Sequence, residues 1–300
     1  MNIYLALANE GGGYVFKNAN INQLMDIYLA GAAAAGNNNY IWRDNAKNPQ
    51  KAMEIFLAGT STRPYVMEDQ NKIFVLESFY YLKEWMYPYI TDHWNFMLDS
   101  GAFTFMNDKK NTGNVDWDSY TEKYADIINK LDIKLFIELD IDSVVGIKEV
   151  ERLRNKLEKL TNKKSIPVWH KSRGLNYWEK MVKEYNYVAI SSSGMYASKW
   201  VHDSRSVQVI NQMIKIAHKN NTKVHGLGYT KLKKLNAITY DSVDSTAWIY
   251  GNRGGYLNQF NGETIIKIDK PKGTRLLSRN VAIHNFKEWV KFQKYAENNL

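Results

Sequence analysis

Three clusters of aspartate sit where short apolar runs stop. Asp99 closes NFMLD, Asp140 closes LFIELD with Asp142 two residues on, and Asp241 and Asp244 stand three apart in TYDSVDS. Carboxylates are rarely buried without a partner, and converging ones repel unless they are protonated, paired or put to use. Taken singly, each could cap a helix start or pair with a lysine. Taken together they fit a reaction site. Two carboxylates flanking a glycosidic bond, one attacking the anomeric carbon and one moving the proton, are the minimal apparatus of retaining glycosyl transfer. Other carboxylate-rich sites hold divalent metals, a chemistry these residues leave open.

The elements that must position these groups show in the hydropathy pattern. Eight short apolar runs read as strands: residues 2–7, 54–58, 95–99, 135–140, 166–170, 187–191, 223–227 and 237–243. Helical spacing marks 117–131, 146–160, 176–184 and 205–220; in the second of these Ile147, Val150, Leu153, Leu157 and Leu160 fall three and four apart. Residues 25–35 also read as a helix. Strand and helix alternate at roughly 30 residues per unit, the mark of parallel βα construction. Eight such strands predict a closed (β/α)8 TIM-type barrel, whose active site lies at the carboxyl ends of the strands. Period-two alternation then puts Glu138, Asp140 and Asp142 on one face. The expected organisation is a single catalytic domain over 1–300, irregular over 1–53. A C-terminal extension from about 256 to 300 would hold a short strand at 264–268 and a helix at 285–297.

Composition narrows the partners. At 300 residues and 44% hydrophobic, with 20 Tyr and 9 Trp, the chain can bury a large core. Cysteine is absent, which excludes disulfides, thiolate zinc sites and cysteine nucleophiles. None of the six histidines falls in an HExxH or HxH pattern, so no metal and no cofactor is expected. No apolar run approaches membrane-spanning length and the N-terminus lacks a signal-peptide pattern, so no membrane partner and a cytoplasmic location are expected. Forty Lys and Arg against 31 Asp and Glu give +9, an excess suited to a polyanion. Local clusters lie at Lys231, Lys233 and Lys234 and at Lys270, Lys272, Arg275 and Arg279.

The ordered set LDSGAFT, ELDID, VWH, ISSSG, VHGLGYT and SVDSTAW resembles the guanine transglycosylase superfamily, barrel enzymes that exchange guanine for a 7-deazaguanine base. DSGAFT is similar to the family's DSGGFQ, and Asp241 and Asp244 match the two aspartates of its DxFDC motif. The likeness runs from about residue 54 to 255. It is closer to the DNA-modifying branch, phage members included, through Ser78-Phe79-Tyr80-Tyr81, Asp99 to Phe103, His225 to Gly228 and Ser242 to Thr246. A chain without cysteine cannot build the zinc subdomain of the tRNA-acting enzymes.

The resemblance implies roles residue by residue. Asp244 would be the nucleophile and Asp99 the general acid/base. Asp140 would read the base, with Asp142 as the substitute, and Ser100, Gly101, His170, Ser193, Gly194, His225, Gly226, Gly228 and Asp241 would line the base site. His170 stands where the family has a glutamine. Tyr229 or Trp248 could stack on the base, and Lys231, Lys233, Lys234 and Arg253 could meet phosphates. The implied partners are DNA with a flipped-out or single-stranded guanosine and a free base such as preQ0, and relatives of this kind often form homodimers. A phage-encoded enzyme would work in the host cytoplasm and protect phage DNA from restriction. Two other readings are a tRNA-guanine transglycosylase without the zinc subdomain and a catalytically silent nucleic-acid-binding barrel.

Overall fold

Short parallel strands alternate with amphipathic helices in a computed structural model that describes residues 1–6, 73–92, 94–102, 115–191, 204–229, 232–245, 247–248, 251, 255–269 and 278–300. The strand expected at 54–58 and the helix expected at 25–35 lie outside the described residues. The parallel strands are β1 (Asn2–Ala6), β2 (Ile73–Ser78), β3 (Trp94–Asp99), β4 (Leu135–Phe136), β5 (Val168–Trp169), β6 (Tyr187–Ser191), β7 (Lys223–Leu227) and β8 (Ser242–Ser245). Between and after them come helices α1 (Tyr87–Asp92), α2 (Trp117–Lys130), α3 (Asp142–Val145), α4 (Ile147–Thr161), α5 (Gly174–Glu184) and α6 (Ser204–Lys219). The antiparallel pair β9 (Tyr256–Phe260) and β10 (Ile265–Asp269) precedes the long helix α7 (Ser278–Asn299).

Setting β1 aside, the other nine strands fall into three separate sheets: β2-β3-β4, β5-β6-β7-β8 and β9-β10. The N-terminal β1 pairs with both β2 and β8 and joins the first two sheets along that side. On the other side no ladder connects β4 to β5. This corrects the expectation of a closed (β/α)8 TIM-type barrel. The reason lies in a few residues at the seam. A single bridge, Ile137 with Ile166, is flanked by two backbone bonds, Glu138 N–H to Ile166 O (3.0 Å) and Ile166 N–H to Phe136 O (2.8 Å). The next residue, Pro167, faces the other way, its carbonyl accepting the Ala189 N–H of β6 at 2.9 Å. Val168 then gives its N–H to the Glu138 side chain at 2.8 Å, so a carboxylate stands where the next ladder carbonyl would be.

Alternation along the strands sorts two apolar clusters. Phe74, Leu76, Met97, Ile137, Ile166, Val168 and Ala189 form the smaller one. Val75, Leu98, Val188, Ile190, Val224 and Val243 face the other way and meet the helices. Tyr124, Ala125 and Ile128 are buried on α2, and Val150, Leu153 and Leu157 on α4 at the predicted spacing, whereas Leu160, expected on the same face, is exposed. Burying one such leucine contributes about 2 kcal/mol. Asp116 caps α2 by accepting the Ser119 N–H (3.0 Å), and Asn162 ends α4 in the left-handed region. α7 docks through Gln293, whose amide bonds both the N–H and the carbonyl of Phe74, and through Asn285 and Glu288, which accept N–H groups of β9. No helix among the described residues is long and apolar enough to cross a membrane.

Candidate active site

Asp99 is the last residue of β3, opposite Ser78 in register, and the chain turns sharply behind it. Its Oδ2 accepts the Gly101 N–H at 2.9 Å. Gly101 has φ of +73°, and a Cβ there would lie 2.6 Å from Ser78 Oγ and 2.8 Å from Tyr80 Cβ, so only glycine fits the turn. Two tyrosines of α2 hold the turn from behind. Tyr120 donates to the carbonyl of the buried Ser100 (2.6 Å), and Tyr124 donates to the carbonyls of Leu98 and Ile137 (3.0 Å each), tying β3 to the end of β4. Burial pushes the Asp99 carboxyl up to about 6, and repulsion from the Asp140 and Asp244 carboxylates adds to this against the pull of the Gly101 N–H. Asp99, Asp140 and Asp244 therefore share one electrostatic neighbourhood. Among the described residues no Lys or Arg pairs with Asp99.

Asp244, on β8, is held differently. Its Oδ1 accepts from His225 Nε2 at 3.2 Å and from the Gly228 N–H, both on or just after β7. His225 is fully buried, and its Nδ1 lies 2.6 Å from Ser242 Oγ, its register partner on β8. Ser242 in turn bonds the Tyr187 hydroxyl from β6. Gly226 is small for a local reason: a Cβ would lie 2.8 Å from the Tyr240 ring.

Asp140 and Asp142 form a third corner. β4 ends at Phe136, and Asp142 begins α3, so the expected run of Glu138, Asp140 and Asp142 along one strand face is corrected. Cations claim these groups instead. Glu138 is fully buried between Arg154 Nη1 and Arg173 Nη1, both at 2.9 Å, and Arg173 Nε reaches Asp142 at 2.9 Å. His170 bonds Asp140 through Nε2. Burial would lower the His170 pKa, but the Asp140 and Asp142 carboxylates outweigh it and the net shift is upward. Ligand atoms of Asp140, Asp142 and His170 lie within 4.8 Å of one another, so the triad has the donors a divalent cation needs. Arg173, whose Nη2 is 4.0 Å from Asp140, already supplies positive charge there.

Other expected site residues lie elsewhere. Asp241 precedes β8 and accepts from the Val224 N–H (2.7 Å) and His218 (2.9 Å). A strand rises about 3.3 Å per residue, which puts Asp241 roughly 10 Å from Asp244 at the opposite end. There Asp241 lines a cavity of about 1140 Å³ with Leu135, Tyr187 and Lys223, at the amino ends of the strands. Tyr229 and Trp248 are fully buried, packed on Tyr240 (5.4 Å) and Phe286 (5.6 Å), so neither offers a face to a base. Ser193, Gly194, Lys231 and Arg253 lie outside the described residues, as do the side chains of Lys233 and Lys234. Residues not anticipated include Arg173, Tyr120, Tyr187, Ser242 and Glu77. Glu77 is wholly buried next to the Asp99 turn, its Oε1 on the Ser78 N–H (2.6 Å) and its Oε2 without a partner among the described residues, and burial raises its pKa well above the usual range.

Neither a protein-family model nor a curated protein matches this chain.

Proposed function

We propose that the chain is a pentosyltransferase that exchanges guanine in DNA for a 7-deazaguanine base of the preQ0 type through a glycosyl-aspartate. One observation carries the reading: Asp99 and Asp244 influence each other electrostatically yet sit in opposite environments. Asp99 lacks a cation partner among the described residues and is pushed up to about 6. Asp244 is fastened by Oδ1 to His225 and to the Gly228 backbone N–H. A carboxyl whose proton affinity is raised suits an acid/base, and a carboxylate held through one oxygen, with the other turned to the sugar, suits a nucleophile.

In this reading the carboxylate of Asp244 attacks C1′ and forms the ester bond while the C1′–N9 bond breaks. The electron pair leaves with guanine, and the Asp99 carboxyl supplies its proton. The incoming base then gives its N9 proton to Asp99 and attacks C1′, releasing Asp244. Two inversions yield retention. Asp140, held by His170 and electrostatically coupled to Asp99, is assigned to the base's N–H groups. A duplex substrate must flip its guanosine out of the stack to reach these groups.

DNA is preferred over tRNA because the motif resemblance lies with the DNA-modifying branch and because no cysteine is available for a zinc subdomain. Nucleoside mass spectrometry of DNA and tRNA from cells making this protein and supplied with preQ0 tests the reading. The modified nucleoside is expected in DNA. Its appearance in tRNA alone would transfer the activity to that substrate, and its absence from both would leave the nucleic-acid-binding reading.

A further inference from the structure

The buried groups beneath Asp244 form a continuous hydrogen-bonded line from Tyr187 through Ser242 and His225 to Asp244. Each bond in that line has a direction. An ionised carboxylate has no hydrogen to give, so the His225 Nε2 must carry one. In the neutral ring Nδ1 is then an acceptor and takes the Ser242 hydroxyl hydrogen. The serine oxygen is left to accept from the Tyr187 phenol, which burial pushes up to about 12 and which therefore keeps its proton. With a neutral ring, reversing the line would place a proton on Asp244 and remove its nucleophilic charge.

The geometry points to Tyr187 and Ser242 as positioning residues: their two hydroxyls fix the tautomer of His225, which holds Asp244 by Oδ1, while Oδ2, which meets no donor among the described residues, forms the new bond. The inference rests on the proposed function for the role of Asp244, but the tautomer itself can be read without any substrate. His225 is fully buried and Ser242 nearly so, and the register pairs His225 with Ser242 directly across β7 and β8. The tautomer is thus set within the strand layer, by side chains that would not touch the base. A ring held in the wrong tautomer loses its catalytic partner even when its position is unchanged.

The test combines nitrogen NMR of histidine-labelled protein with base-exchange kinetics on the full chain. Wild-type His225 is expected to show a protonated Nε2 and a bare Nδ1. Ser242→Ala should mix the two tautomers and lower kcat for exchange about tenfold or more, with KM for the free base unchanged. Ser242→Thr, which keeps the hydroxyl, should restore both readouts, and Tyr187→Phe should move them the same way by a smaller amount. Unchanged His225 ring signals in Ser242→Ala, or full kcat in that variant, would overturn the inference. If the wild-type protein exchanged no base in any nucleic acid, the proposed function would fail, and the ring signals alone would decide whether the hydroxyls set the tautomer.

Discussion

Glu138 meets two arginines at 2.9 Å and Asp142 one, whereas Asp99 receives a backbone N–H and no described Lys or Arg, and Asp244 is met by a histidine and a backbone N–H. All four are carboxylates at or just beyond strand ends. They differ in what the neighbouring element delivers: α4 and the turn after β5 bring Arg154 and Arg173 onto one group, and the elements around Asp99 bring tyrosines and a glycine. A buried carboxylate with a fitted guanidinium is a structural ion pair that breaks badly if one partner is lost. A buried carboxylate without one keeps a perturbed affinity for protons, which chemistry can use.

The largest break of this contrast comes from Asp244→Asn. It should lower base exchange about 10⁴-fold or more, as measured by uptake of labelled base into DNA, while the melting temperature stays near that of the wild type. An active Asp244→Asn protein would move Asp244 into the structural set. Next comes Arg173→Met, which leaves Glu138 and Asp142 short of a cation in a buried site. Urea denaturation should show a loss of about 3–5 kcal/mol, part of it recovered by adding Glu138→Gln.

Asp99→Asn should act in the opposite direction on stability. The folded carboxyl titrates at about 6 and an unfolded aspartate near 3.8. Between those values the folded chain holds a proton that the unfolded chain has lost, so the wild type loses stability as pH rises through about 6. The asparagine variant is expected to be more stable than the wild type at pH 7 by roughly 1–3 kcal/mol, with the two converging below about pH 4, and to exchange bases about 10²-fold more slowly. Denaturation curves across that range check the first effect. A variant less stable than the wild type at pH 7 would put Asp99 with the ion-paired group. The smallest effect belongs to Tyr124→Phe, which removes the donor to the Leu98 and Ile137 carbonyls and should cost about 1 kcal/mol.

Much of this was legible in the residues, for reasons that can be named. β6 and β7 are short β-branched or apolar runs bounded by polar residues, and the structure places them where the pattern does. α2 and α4 repeat apolar residues three and four apart, and their boundaries fall within a residue of those expected. What the pattern hid depends on distant partners. LFIELD reads as a six-residue strand, but the ladder holds only Leu135–Phe136 and one bridge at Ile137, because the Glu138 side chain takes the Val168 N–H that the next rung needs. β2 went unseen because IFVLES carries a glutamate near its end, and nothing local says that Glu77 is buried. Asp241 and Asp244 look like one cluster in the chain, yet a strand between them sends them to opposite ends. Arg173 sits in an unremarkable KSR turn, and its three carboxylate neighbours meet it only in the fold.

The central claim is that Asp244 carries the sugar covalently. The protein should be mixed with a guanosine-containing oligonucleotide in the absence of an incoming base, denatured rapidly and mapped by peptide mass spectrometry. The account predicts free guanine and an oligonucleotide joined to the peptide that contains Asp244, both absent in Asp244→Asn. Base exchange without any adduct, or an adduct on Asp99, would contradict it.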